Sequence, residues 1–276
     1  MPIYRTLELQ PISDSEFAEI DSVVMGCAFA TQNHFGRLFD ERVFENDVAA
    51  RLQAKGLTVY TQVPISLNHN GFEKTYFLDL VVKQMVYELK VVCNLTGEHN
   101  AQALNYAMLQ NSRLVKLINF GEAKVRGKLL RNALLLEDRY RPTTNLERWK
   151  PLGSQCDRLI EHIKAIIGDW GTHLDCRLYN EALVHHFGGE PTCLHRVELL
   201  CGDVRLGTHV VSQHDSKLAF VVTGFNEPQE GYRQHLKTLL QHASALQAIQ
   251  WINLNHSCLE VTTIEGDLDN RMGAEE

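Results

Sequence analysis

Residues Phe77–Lys90 constrain this chain most. Two runs rich in apolar and β-branched residues, Phe77–Val82 and Met85–Leu89, flank the polar pair Lys83-Gln84. Such a pattern reads as two short strands joined by a two-residue loop. That loop places Val82 opposite Met85, then Val81 opposite Val86, Leu80 opposite Tyr87 and Asp79 opposite Glu88. Directly opposed side chains lie roughly 5 Å apart, where two like charges destabilise a sheet. Glu88 and Lys90 share a face because side chains alternate along a strand. Two carboxylates beside a lysine suit a hard divalent cation and a phosphate. The same residues also fit the plain solvated face of an edge strand. Lys83-Gln84 lacks the Gly or Asn that tight hairpins favour, so this pairing has room to slip.

The rest of the sequence narrows the choice. Its 276 residues allow one large domain or two of ordinary size. At 44% hydrophobic and 22% charged, the composition is that of a globular protein. No apolar run approaches the roughly 18 residues of a membrane span. Met1-Pro2-Ile3-Tyr4-Arg5 lacks a signal-peptide pattern. The seven cysteines are scattered without a Cys-x-x-Cys, which argues against zinc ribbons and iron–sulfur clusters. A cytoplasmic protein with free thiols, making no membrane contact, is the expectation. Net charge is −7, unlike a protein that coats nucleic acid. Between Arg113 and Lys150, however, basic residues outnumber acidic ones ten to four.

Along the chain, a helix is expected from Asp14-Ser15 to about His34-Phe35-Gly36, with Ile20, Val23, Val24 and Cys27 as its apolar stripe. A second runs from about Arg37 to Lys55, with Val43, Phe44, Val48 and Leu52 inward. Glu41 lies near that apolar face, either as a cap partner or as a buried functional group. Thr58–Ile65 reads as a strand, residues 98–110 as a helix and Leu114–Phe120 as a core strand. Gln102 and Tyr106, four apart, share a helix face. Helices and strands in this order predict a mixed sheet flanked by helices, an α/β sandwich.

These residues, in this order, resemble the PD-(D/E)XK nuclease superfamily over roughly residues 20–125. Within it, the chain is most similar to the RecB-like proteins named for a GxxExxY motif. Leu78-Asp79-Leu80 with Glu88-Leu89-Lys90 resembles the D…ExK signature, and Gln102–Tyr106 the QxxxY motif. The naming glutamate falls on Glu41, although Leu38 and Phe44 stand where the motif has Gly and Tyr. The resemblance implies a restriction-endonuclease-like fold and a nuclease acting on nucleic acid, DNA rather than RNA. It implies Mg²⁺ or Mn²⁺ held by Asp79, Glu88, the Leu89 carbonyl and Glu41. It further implies Lys90 as the group that activates water or stabilises charge, with Gln102 and Tyr106 orienting Lys90 or the phosphate. Lys124, Arg126, Lys128 and Arg131 are the candidate nucleic-acid contacts.

The second half echoes the first. Phe39–Phe44 is answered by Leu174–Tyr179, Phe35-Gly36 by Trp170-Gly171 and Leu117–Phe120 by Trp251–Leu254. Gln102 falls near Gln234. The chemistry is not repeated: Cys176 answers Glu41, about Val221 answers Glu88, about Thr223 answers Lys90 and about Ser212 answers Asp79. The expected organisation is a nuclease-like domain at 1–121, a basic linker at 122–155 and a degenerate copy at 156–276. The copy is expected to serve structure, substrate binding, a protein partner or homodimer formation. Two further readings are a non-catalytic scaffold and a nucleic-acid binder that does not cut.

Overall fold

The computed structural model describes residues 2–134, 139–227, 229–255 and 258–266. The chain divides into two units, Met1–Leu134 and Leu135–Glu276. Among the described residues no helix is long and apolar enough to cross a membrane.

The first unit runs β1 (Ile3–Arg5), α1 (Asp14–Phe35), α2 (Glu41–Ala54), β2 (Val59–His69), β3 (Phe72–Val82), β4 (Met85–Lys90), α3 (Gly97–Gln110), β5 (Leu114–Asn119) and β6 (Arg126–Arg131). Its strands lie in chain order, β1-β2-β3-β4-β5-β6. All neighbours are antiparallel except β4 and β5, which α3 joins as the crossover that a parallel pair requires. Helix α1 starts at Asp14, within the expected Asp14-Ser15. Ser13 caps it, its Oγ accepting the Glu16 N–H while the Glu16 carboxylate accepts the Ser13 N–H. Gly36, at φ 74°, stops the helix. Asp40 is extended, so α2 begins at Glu41 rather than Arg37. Glu41 thus sits in the first turn, where the helix dipole favours a carboxylate. Phe44, Val48 and Leu52 of α2 pack with α1 against Leu80, Tyr87, Leu89 and Ile118, and Phe44 stacks on Phe120 at 4.6 Å.

The β3–β4 hairpin has the register read from the sequence: Val82 opposite Met85, Val81 opposite Val86, Leu80 opposite Tyr87. Lys83 itself supplies the positive φ, 54°, that glycine or asparagine would otherwise provide. The ladder stops at Leu80 and Tyr87. The two strands therefore part just where the acidic residues begin.

The expected linker at 122–155 instead carries strand structure. Strand β6 pairs with β5 along its length, and β7 (Thr143–Arg148) pairs with β12 (Cys258–Glu265) of the second sheet. Without β6, the buried strand β5 would be left as a bare edge. Glu137 and Asp138, two of the four acids of the basic segment, lie outside the described residues, as do residues 267–276 at the end of the expected second copy.

The second unit continues with α4 (Cys156–Trp170), α5 (Cys176–His186), α6 (Glu190–Cys193), β8 (Leu194–Cys201), β9 (Val204–Asp215), β10 (Leu218–Thr223), α7 (Glu230–His242) and β11 (Ala248–Asn255). Its sheet order is β7-β12-β11-β10-β9-β8. Strands β8 to β12 have the order and sense of β2 to β6, with one parallel pair, β10 and β11, in the same place. Only the sixth strand differs: β1 lies beside β2, whereas β7 lies beside β12. One detail recurs. Asn119 ends β5, accepting the Val92 N–H at 3.0 Å and donating to the Val92 carbonyl at 2.8 Å. Asn253 makes the same bracket on Phe225, at 2.9 and 3.0 Å. Both units are α/β with a mixed sheet, the class expected from the sequence.

Candidate active site

Where β3 and β4 part, Asp79 turns its carboxylate along β4, and Oδ2 accepts the Leu89 N–H at 2.9 Å. Asp79, Glu88 and Lys90 are all buried, Glu88 to 1% exposure. Lys90 Nζ lies 2.7 Å from Glu88 Oε1 and 3.7 Å from Glu41 Oε1. Thus α2 and β4 bring Glu41, Glu88 and Lys90 together, and β3 adds Asp79. From α3, Gln102 donates to the Tyr106 hydroxyl at 3.1 Å.

Burial, then the Asp79 charge beside it, pushes the Glu88 carboxyl up to about 9. Burial also raises Glu41. For Lys90, burial alone would depress the ammonium, but Glu88 with Glu41 and Asp79 outweighs it and the net direction is upward. Tyr106 rises through burial first and the Glu88 charge second.

Two residues at this site went unread in the sequence. Glu45, one turn beyond Glu41, is 2% exposed and held by Arg42 at 3.1 Å. Gln62 of β2 donates to Glu45 Oε2 at 2.8 Å and reaches Asp79 Oδ1 at 3.5 Å. Glu45 had one available signal, its four-residue spacing from Glu41. Gln62 had none.

The residues fit a cation. Glu88 Oε2 is buried with no hydrogen-bond partner. A buried acceptor left unmade costs about 1–3 kcal/mol, more when charged, and a cation would offset that cost. Among the described residues no three His, Cys, Asp or Glu side chains form a set that could hold a metal alone. Two carboxylates completed by backbone and water oxygens suit Mg²⁺, which keeps several waters.

Residues 18–131, from α1 to the end of β6, match the family model of the PD-(D/E)XK nuclease superfamily. The first unit belongs to that superfamily. Its members are usually nucleases, which generally use divalent metals and act on nucleic acid. No curated protein matches the chain.

Around this PD-(D/E)XK site the sheet sorts the basic residues. Lys90 pairs with Asn119 and Asn119 with Arg126, while Glu88 pairs with Leu117 and Leu117 with Lys128. Paired residues share a face, so two rows cross the sheet from the site to the exposed side chains of Arg126 and Lys128. Two strand spacings put them about 10 Å away. Arg131 is not part of that face: it pairs with Leu114, whose side chain packs with α1 and α2, and it reaches Asp14 at 3.5 Å. Lys124 is exposed in the β5–β6 connection.

In the second unit Thr223 pairs with Asn253 as Lys90 pairs with Asn119, which puts Val221 in the place of Glu88. Cys176 opens α5 as Glu41 opens α2. The counterpart of Asp79 is Val211, one residue before the expected Ser212. Ser212 pairs with Phe220 as Leu80 pairs with Tyr87, and a register shift between Leu218 and Ala219 displaces the simple count. A cavity of about 450 Å³ is lined there by Cys176, Asn180, Val211, Val221 and Tyr232. Burial pushes the Cys176 thiol up to about 11.

Proposed function

We propose that the first unit is a divalent-metal-dependent nuclease that hydrolyses phosphodiester bonds in DNA. The observation that carries this reading is the buried, unpartnered Glu88 Oε2 at the end of β4, with Asp79 on the adjoining strand and Lys90 at 2.7 Å from the other oxygen. Asp79, Glu88 and the Leu89 carbonyl hold Mg²⁺ or Mn²⁺, and Glu41 completes the shell directly or through water. The bound cation supplies Lewis acidity toward the phosphate and lowers the pKa of its water. Lys90, already protonated against Glu88, offsets the charge that builds on the phosphoryl oxygens. Tyr106, its hydroxyl fixed by Gln102, orients the scissile phosphate. Arg126 and Lys128 anchor neighbouring phosphates along the same sheet face.

The second unit is a degenerate copy that serves structure or binding. The shared five-strand order, the paired asparagine brackets and the aligned helix starts support this. So does the replacement of each acidic position by a neutral one.

Single- and double-stranded DNA and RNA, each offered with Mg²⁺, Mn²⁺ or EDTA, test the proposal. Cleavage of DNA with metal and none in EDTA is expected. A protein that takes up no Mn²⁺ and cuts nothing is a scaffold; one that binds nucleic acid without cutting is a binder.

The double variant Arg126→Ala/Lys128→Ala is expected to weaken DNA binding alike on all sequences. The slope of log K against log salt falls by about 2, one counterion for each lost contact. Anisotropy titrations in Ca²⁺ across a range of KCl would read this, and an unchanged slope removes both residues from the interface.

A further inference from the structure

We propose that Gln62, braced by Glu45, is the positioning residue that presents Asp79 to the metal; this rests on the metal-dependent reading of the site. Strand β2 pairs with β3 at Thr61–Leu80 and Val63–Leu78 but skips Gln62. Gln62 takes φ 50°, a left-handed conformation that is strained for a non-glycine residue inside a strand. The register is kept on both sides, so Gln62 stands directly opposite Asp79 while its backbone leaves the ladder. One amide hydrogen goes to Glu45 Oε2 at 2.8 Å, which leaves the other for Asp79 Oδ1 at 3.5 Å. Oδ2 of Asp79 is already held by the Leu89 N–H. Both oxygens of that carboxylate are therefore oriented by donors from different strands. Glu45 cannot swing away, because Arg42 Nη1 sits 3.1 Å from each of its oxygens.

The second unit supplies a contrast. Leu194 pairs with Ser212 as Thr61 pairs with Leu80, so His195 occupies the position of Gln62. His195 pairs with Val211 in an unbroken stretch of ladder. Its ring bonds the Thr192 carbonyl. Asn180 stands where Glu45 does, four residues into the helix, and donates to Ser212. The strained residue is present where the acids are and absent where they are not. A link needed merely to hold two strands together would have no reason to follow the acids.

The test is calorimetric titration of the full chain with Mn²⁺, in wild type, Gln62→Leu, Gln62→Gly and Asp79→Asn. The leucine keeps the bulk and removes the amide; the glycine also accepts the positive φ, so a folded variant is available if leucine disrupts the strand. Asp79→Asn is expected to abolish binding. Both Gln62 variants are expected to weaken it about 10–100-fold, the usual cost of removing a group that orients a metal ligand. Wild-type affinity in a folded Gln62 variant, with only the melting temperature changed, makes Gln62 a structural link and overturns the proposal. A wild type that binds no Mn²⁺ overturns the reading of the site itself, and this proposal with it.

Discussion

Lys90→Met is expected to lower kcat for metal-dependent cleavage about 10³-fold while the protein still takes up Mn²⁺, given that a positioned proton-transfer group or charge stabiliser contributes about 10²–10⁴. Lys90 Nζ touches Glu88 and lies near Glu41, and only 11% of its side chain is exposed. In so dry a setting one positive charge counts for far more than in water. Methionine keeps the length of the stem and deletes the charge. The carboxylates that hold the cation remain, so the loss falls on chemistry rather than on metal binding. Removing the ammonium also leaves Glu88 without its ion partner, which favours the protonated acid. Cleavage is therefore compared at saturating Mn²⁺ and alkaline pH, where that competition is weakest. Lys90→Arg is expected to be nearly as slow, because a guanidinium is planar, bulkier and spreads its charge, so it does not fit the place of a compact ammonium. A Lys90→Met protein with wild-type kcat removes Lys90 from the reaction.

Much of this site was legible because a hairpin leaves little freedom. Once Val82 and Met85 flank a two-residue loop, every later pair follows, and the alternation of side chains puts Glu88 and Lys90 on one face. The sequence did not show that Asp79 would leave the ladder to cap the Leu89 N–H, because that depends on where two strands separate. Nor did it show Gln62. A polar residue in a strand reads as solvent-facing, and nothing local announces a positive φ. Glu45 was hidden for a related reason: a charged residue on an amphipathic helix is normally wet, and only Arg42 and Gln62 together make its burial tolerable. The basic segment misled because Arg126-Gly127-Lys128-Leu129-Leu130-Arg131 lacks clean alternation, although its place at the edge of the sheet explains it. In the second unit the sequence echoes agree with the strand register at Val221 and Thr223 and with the helix start at Cys176. The bulge in β9–β10 moved the last counterpart by one residue.

Glu88→Gln is expected to flatten the protein's response to pH and to remove its response to metal. In the metal-free protein the Glu88 carboxyl stands at about 9 against 4.5 for the free acid, through burial and then the Asp79 charge. Between those values the folded state holds a proton that the unfolded state has lost. The stability it contributes is full below pH 4.5 and disappears as pH rises through about 9. Glu41 and Glu45 are raised by burial as well, so they slope the same way. Lys90 is raised above 10.5 and titrates beyond this window. Metal-free wild type should therefore lose stability steadily from pH 5 to 9. Glutamine carries no titrating proton, so the variant should be flatter across that range. It also leaves the buried Lys90 ammonium without the carboxylate at 2.7 Å, a loss that destabilises the variant. Adding Mn²⁺ separates the two proteins further. Metal binds the ionised carboxylate and stabilises wild type by mass action, about 2.7 kcal/mol at a hundredfold excess over Kd. The variant gains little and cuts nothing. Urea melts at pH 5, 7 and 9, with Mn²⁺ and with EDTA, give all of these comparisons. Parallel pH profiles for the two proteins would show that Glu88 is ionised throughout, and equal stabilisation by Mn²⁺ would place the metal elsewhere.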